Sequence, residues 1–177
     1  LTFHDSSEGF PVASAAGTDV VFTMLRAGEL YRKRADGSGQ ETLLAQGHIL
    51  SASDWSADGH YLIGQRLGET NEFNLWYARV EEKLQPTPYL VTPANENGPR
   101  FSPDGRFVAY SSDESGQYEV YVKPFPGGEG KWQVSTQGGR QPHWSRSSGE
   151  LFFLQGADLM VAGVSTKPGF SFTPPRR

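Results

Sequence analysis

An all-β protein built from about four four-stranded antiparallel units is what this sequence predicts. Three observations carry that expectation. A segment of about ten residues recurs at a spacing of just over forty residues. The chain is rich in Gly and Pro, 21 and 12 of its 177 residues, as many tight turns require. No stretch shows a convincing 3.6-residue apolar period.

The recurring segment is clearest in Phe101-Ser-Pro-Asp-Gly-Arg-Phe-Val-Ala-Tyr110. Its relatives are Trp55-Ser-Ala-Asp-Gly-His-Tyr-Leu-Ile-Gly64 and Trp144-Ser-Arg-Ser-Ser-Gly-Glu-Leu-Phe-Phe153, the last with one extra residue in its turn. Each has an aromatic, a Ser, a short turn ending in Gly, and then an apolar run. The aromatics at 55, 101 and 144 are 46 and 43 residues apart. A period of that length belongs to propeller blades of four strands. The units are read as 11–47, 48–93, 94–137 and 138–175 within one domain, 1–177. Unit one has lost the aromatic-Ser hallmark but keeps the turn and second strand in Gly17-Thr-Asp-Val-Val-Phe22.

Each unit reads as strands A to D. The A–B turn carries Asp104-Gly105 or Asp58-Gly59, a hairpin signal because Gly tolerates φ > 0. Strand B of unit three is Phe107–Ser111, rich in aromatic and β-branched residues. Strand C recurs as Gly28–Arg34, Phe73–Val80, Tyr118–Phe125 and Ala157–Val164. Strand D recurs as Thr42–Leu44, Tyr89–Thr92, Trp132–Ser135 and Phe170–Thr173. The C–D links hold Asp36-Gly-Ser-Gly39 and Pro126-Gly-Gly-Glu-Gly130. The nearest helix candidate, Ala78–Leu84, is short, lacks an N-cap and is soon followed by Pro86. Leu1–Phe10 is a candidate outer strand that would close a ring on the last blade.

Composition excludes several functions. The net charge of −4 argues against nucleic acid as a partner, which requires a basic face. The absence of Cys removes disulfides, thiolate metal sites and thiol nucleophiles. No apolar run reaches the ~18–20 residues of a membrane span, and none reads as a secretory signal. The first residue is Leu rather than Met, so the chain is expected to be a piece of a longer protein.

The stretch from Phe101-Ser-Pro-Asp-Gly through Tyr118-Glu-Val-Tyr-Val to Gln133-Val-Ser resembles one full TolB-type, WD-repeat-like propeller unit. The likeness weakens in units two and four and is weakest in unit one. Glu119-Val-Tyr-Val-Lys-Pro-Phe-Pro-Gly-Gly128 resembles the propeller repeats joined to bacterial serine/threonine protein kinases. That resemblance implies a non-catalytic sensor or protein-binding domain, on the outer side of a membrane or in the periplasm. Similar repeats gate prolyl-oligopeptidase-type enzymes, the alternative from another class. These families commonly have six or more blades. Four units therefore imply a small ring, a fragment of a larger one, or a homodimer that completes the ring.

No catalytic motif is present. There is no Gly-x-Ser-x-Gly elbow, zinc-binding His-Glu-x-x-His or EF-hand loop, and no cofactor is expected. Gly127-Gly-Glu-Gly-Lys131 lacks the spacing of a phosphate loop and reads as a hairpin link. Asp36, Asp58 and Asp104 each precede Gly. They suit turns that bond their own backbone better than calcium ligation. His4, His48, His60 and His143 read as structural or solvated rather than as metal ligands. The aromatics Trp55, Trp76, Phe101, Tyr121 and Trp144 read as packing between blades rather than as sugar platforms.

The remaining candidate is the rim of the channel mouth, made by the D–A and B–C loops. The D–A loops are 46–50, 93–99 and 137–141; the B–C loops are 66–71, 112–116 and 155–156. Loops on rigid scaffolds carry variable function. The candidate binding residues are His48, Glu69, Asn71, Asn95, Asn97, Glu114, Arg140 and Gln141, with Glu96 among their polar neighbours. A protein or small ligand is the expected partner.

Overall fold

The computed structural model describes residues 7–47, 50–81 and 83–177. The chain divides into two compact units, Leu1–Val91 and Thr92–Arg177. The first contains two four-stranded sheets. One is β1 (Glu8–Ala13), β2 (Asp19–Met24), β3 (Glu29–Arg34) and β4 (Thr42–Gln46); the other is β5 (Leu50–Trp55), β6 (Tyr61–Leu67), β7 (Phe73–Arg79) and β8 (Thr87–Leu90). The second unit contains two more. These are β9 (Glu96–Phe101), β10 (Phe107–Ser112), β11 (Glu119–Pro124) and β12 (Trp132–Gln133), then β13 (Arg140–Trp144), β14 (Glu150–Gln155), β15 (Asp158–Ser165) and β16 (Ser171–Phe172). Every sheet is an antiparallel meander in chain order, and no helix occurs among the described residues.

The repeated Ser explains the first hairpin of each sheet. Ser102 Oγ donates to Asp104 Oδ1 at 2.7 Å and accepts the Phe107 amide at 3.0 Å. The Gly105 amide donates to the Ser102 carbonyl at 2.8 Å, and Gly105 takes φ 68°, open to glycine at no steric cost. The same hub recurs at Ser56, whose Oγ donates to Asp58 at 2.6 Å and accepts the Tyr61 amide at 2.9 Å. These aspartates organise turns. Both carboxyls sit below the usual carboxylate range: burial opposes this, but it is outweighed by hydrogen bonds from the hub Ser and from a neighbouring amide. Ser102→Ala is expected to lower stability by about 1–3 kcal/mol, because it strips a buried amide of its acceptor; urea denaturation measures it.

Unit one lacks the aromatic of the hallmark, yet its Ser keeps a role in the turn. Ser14 is the hub there, accepting the Thr18 and Asp19 amides at 3.1 Å each. The preceding aromatic is replaced by Ala13 and the turn Asp by Ala16, so the amide-accepting half of the hub is what remains. A second repeated device lies in the first strands. The ladder is broken by a bulge at Phe10-Pro11, Gly98-Pro99 and Gln141-Pro142. The residue before each Pro has a left-handed φ of 52°, 58° and 54° respectively. Pro cannot donate to a ladder and is tolerated at bulges. The second sheet bulges without Pro, between Ala52 and Asp54. There Gly64 faces Ala52, and a Cβ on Gly64 would sit 1.9 Å from the Ser51 carbonyl oxygen.

The N-terminal segment also differs from its expected placement. Glu8 and Gly9 pair with Met24 and Thr23, so Glu8–Phe10 begins the first sheet instead of adding a strand to the last. Residues 1–6 lie outside the described residues. The last sheet fills its positions from its own unit, and the chain end returns to it: Arg176 and Val161 exchange backbone hydrogen bonds at 2.8 and 2.9 Å. The rejected helix candidate is the end of β7 and the link after it, where the Leu84 amide donates to the Leu44 carbonyl at 2.8 Å.

Each unit has its own core. In the first, Val21, Leu30, Leu44, Trp55, Leu62, Trp76 and Leu84 pack between the two sheets. In the second, Phe107, Val120, Val122, Trp144, Leu151, Phe153 and Phe170 do so. Trp144 Nε1 also donates to the Arg100 carbonyl at 3.0 Å, tying β13 to β9. The aromatics Trp55, Trp76, Phe101, Tyr121 and Trp144 are all buried, as packing residues should be.

Candidate functional site

At one end of the second unit, the β10–β11 turn meets the link before β9 and the first residue of β13. The side chain at the centre is Tyr118. The Arg140 guanidinium lies over its ring, 3.7 Å from the centroid, a cation–π contact. Its hydroxyl accepts a hydrogen bond from Asn97 Nδ2 at 3.1 Å. Beside it, Asp113 accepts from the Asn95 amide at 2.8 Å and from Asn95 Nδ2 at 2.9 Å. These bonds, with Arg140 nearby, hold the Asp113 carboxyl below the usual range.

Two glutamates lie beneath this surface. Glu119 is buried and accepts from Gln117 Nε2 at 2.6 Å, from the Gly138 amide at 2.8 Å and from the Ser135 hydroxyl. It therefore pins the link that leads into β13. Glu96 is also fully buried, and Thr92 Oγ1 donates to its Oε1 at 2.5 Å. Its Oε2 has no hydrogen-bond partner among the described residues. Burial pushes the Glu96 carboxyl up to about 7, assisted by the charges of Glu114 and Asp113 and opposed by the Thr92 hydrogen bond. Such a value suits a general base, but a carboxyl with no exposed surface cannot reach a substrate.

The expected binding residues have the following places. Asn95, Asn97, Glu114, Arg140 and Gln141 fall at this end of the second unit. Asn97, Arg140 and Gln141 are not on loops: Asn97 is a strand residue of β9, Arg140 and Gln141 are strand residues of β13, and Asn97 is half-buried. Glu114 is an exposed turn residue paired with Lys131. Gln141 is exposed, and its left-handed φ belongs to the shared Pro bulge rather than to a local demand of binding. Glu69 and Asn71 lie on the β6–β7 turn of the first unit, both exposed. That turn is organised by Glu72, which accepts from Thr70 Oγ1 and from Asn74 Nδ2 at 3.0 Å. His48 lies outside the described residues, as does His4. His60 and His143 are exposed. Among the described residues no three of His, Asp and Glu converge on a metal position.

Sequence reasoning missed Tyr118 and Asp113. Asp113 bonds a residue 18 positions away and Tyr118 one 21 positions away. No local motif encodes such pairs. The one available signal was the place of Tyr118 at the head of a repeated strand C.

No protein-family model matches the chain. Over 79 residues, 45% of the chain, it is 35% identical to tricorn protease homolog 2 of Streptomyces coelicolor, and this stretch spans 7% of that protein. Among solved structures, the chain is similar to TolB from Acinetobacter baumannii with a TM-score of 0.68 at 13% identity, over 96% of its own length and 44% of TolB. The fold is that of a TolB-like β-propeller. A chain from a nidogen/laminin complex is similar as well, with a TM-score of 0.68 at 10% identity, over 86% of this chain and 59% of that one. The chain thus spans less than half of the TolB structure.

In this TolB-like propeller the four meanders are blades, and the Ser-x-Asp-Gly hub is the inner hairpin of a blade. The Tyr118–Arg140 cluster joins two consecutive blades of the second unit at the end opposite those hairpins, as the register of β10 and β11 requires. No helix in the described residues is long and apolar enough to cross a membrane.

Proposed function

We propose that this chain is the non-catalytic recognition segment of a larger protein, and that its second unit binds a protein partner through Arg140, Tyr118, Asn97, Asp113 and Glu114. The arrangement of Arg140 on Tyr118 carries this reading. Tyr and Arg are the residue types that dominate binding energy at protein interfaces. Here they are held together before any partner arrives, which reduces the ordering cost of association. Asp113 and Glu114 beside Arg140 and Lys131 give both signs of charge within one patch, which suits a specific partner better than a uniformly charged polymer. The sequence resemblance supports attachment to a bacterial protein kinase or an envelope protein, with the segment outside the cytoplasm as part of this proposal.

Arg140→Ala tests it. The side chain is exposed, and an exposed cation–π contact contributes only about 0.5–1 kcal/mol, so folding should persist. Immobilised chain should retain a partner from source-cell extract, and Arg140→Ala should reduce retention about tenfold or more. Ser147→Ala, on the exposed β13–β14 turn, should not. Equal retention by all three would remove this end from consideration.

The likeness to a tricorn protease homolog favours a second reading, a propeller that gates access to a peptidase domain elsewhere in the parent protein. In that case Arg140→Ala would change the parent's cleavage of long peptides while leaving short chromogenic substrates unaffected.

A further inference from the structure

The other end of the second unit holds a cleft of about 440 Å³ that the proposed partner site does not use. It lies where Phe107 pairs with Pro124, at the opposite end of the β10–β11 ladder from Ser112 and Glu119. Its volume falls within the ~300–1,000 Å³ of small-ligand sites. Arg106, Phe107, Phe125, Glu129, Trp132 and Phe170 line it. Phe107 and Phe170 are buried and form the floor; Phe125 and Trp132 are half-buried walls. The Trp132 ring is fixed by Phe107 at 5.9 Å and Phe170 at 5.1 Å between centroids. The glycine loop before it lies close, since a Cβ on Gly130 would come within 2.7 Å of the indole.

The polar groups of the cleft are distinctive. Three of the four tryptophans donate their indole N–H to a backbone carbonyl: Trp55 to Gly59, Trp76 to Gln65 and Trp144 to Arg100, at 3.0–3.1 Å. Trp132 does not, and the carboxylate of exposed Glu129 also has no partner among the described residues. Arg106 is anchored across the two blades by bonds to the Thr166 carbonyl at 2.6 Å and the Pro168 carbonyl at 3.3 Å. Those use two of its five N–H donors.

A rigid aromatic plane, an unused donor, an unused acceptor and a held guanidinium fit a ligand with an apolar face and a rim of hydroxyls. We propose that this cleft binds a neutral pyranose sugar unit. Its C–H face stacks on Trp132 while its hydroxyls accept from Arg106 and donate to Glu129, and a neighbouring unit of the same oligosaccharide accepts from the indole N–H at the ring edge. A proline-rich peptide also suits aromatic grooves, and its carbonyls could accept from Trp132. Proline has no N–H to offer Glu129, whereas a sugar hydroxyl both donates and accepts. An acidic sugar would meet the Glu129 charge, so the unit is a neutral one.

The test follows the indole N–H resonances of the full chain by NMR. Cellotetraose, xylotetraose, the N-acetylglucosamine tetramer and a decaproline peptide are titrated separately. Trp132→Phe, which keeps an aromatic ring in the core, assigns the Trp132 signal. With at least one oligosaccharide that signal is expected to shift and saturate at millimolar concentration. Glu129→Gln should weaken this binding about tenfold or more, as expected on losing a charge-assisted hydrogen bond, and Arg140→Ala should leave it unchanged. The proposal is overturned if no oligosaccharide moves the Trp132 signal, if decaproline alone moves it, or if Glu129→Gln binds at full affinity.

Discussion

Replacing Trp144 by Ala should lower the unfolding free energy by about 3–5 kcal/mol, the range for truncating a large buried aromatic. Trp144 is only 6% exposed, packs with Phe107, Val120 and Phe153, and meets the Phe170 ring edge-on at 6.2 Å. Its indole also bonds the Arg100 carbonyl, so one side chain joins two blades. Trp144→Phe keeps most of the ring contact and loses that bond, for an expected loss of about 1 kcal/mol plus a small packing term. Guanidinium denaturation followed by far-ultraviolet circular dichroism measures both. A loss below about 1 kcal/mol for Trp144→Ala would mean that the hallmark aromatic is not a core residue, since surface changes rarely exceed ~0.5 kcal/mol.

Glu96→Gln should change the pH dependence of stability. The folded carboxyl titrates at about 7 against an ordinary value of 4.5. A group raised in the folded state adds stability that is fully present below its unfolded value and is lost as pH rises through the folded one. Between pH 5 and 8 the wild-type chain should therefore lose on the order of 2–3 kcal/mol through this residue. The glutamine variant keeps a neutral side chain, so that loss should vanish and the variant should be the more stable at pH 8. Asp58, Asp104 and Asp113 are shifted the other way, so their contributions are lost only at acid pH. Parallel pH profiles for the two proteins between 5 and 8 would show that Glu96 is not held neutral by burial.

The fold was legible because its hallmark is local. Ser102, Asp104 and Phe107 satisfy one another within five residues, so the chemistry prints directly into the string. Where one partner of that signal is replaced, the signal fades. Ala13 in place of the aromatic and Ala16 in place of the Asp concealed the Ser14 hub, which still accepts the Thr18 and Asp19 amides. The Pro bulge was invisible for a different reason. Its left-handed position is filled by Phe10, Gly98 and Gln141, three unlike side chains that share only the following Pro. The return of Arg176 to Val161 is long-range pairing through backbone groups, which carries no sequence signature.

The candidate site was legible only in part. Repeat alignment placed Asn95, Asn97, Glu114 and Arg140 at one common end of their blades. It could not show that Asn97 and Arg140 converge on Tyr118, or that Asp113 holds Asn95. Nor could it show that Glu114 is engaged by Lys131 from the next link. These are contacts between elements, fixed by blade geometry rather than by spacing along the chain.

The most direct measurement is site-specific photo-crosslinking in the source cell. A benzophenone side chain is placed at Ser115, exposed on the β10–β11 turn, or at Ser147, exposed at the opposite end. The account predicts one discrete protein adduct from position 115, abolished by Arg140→Ala, and none from position 147. Adducts from position 147 alone, or an adduct from 115 that survives Arg140→Ala undiminished, would contradict it.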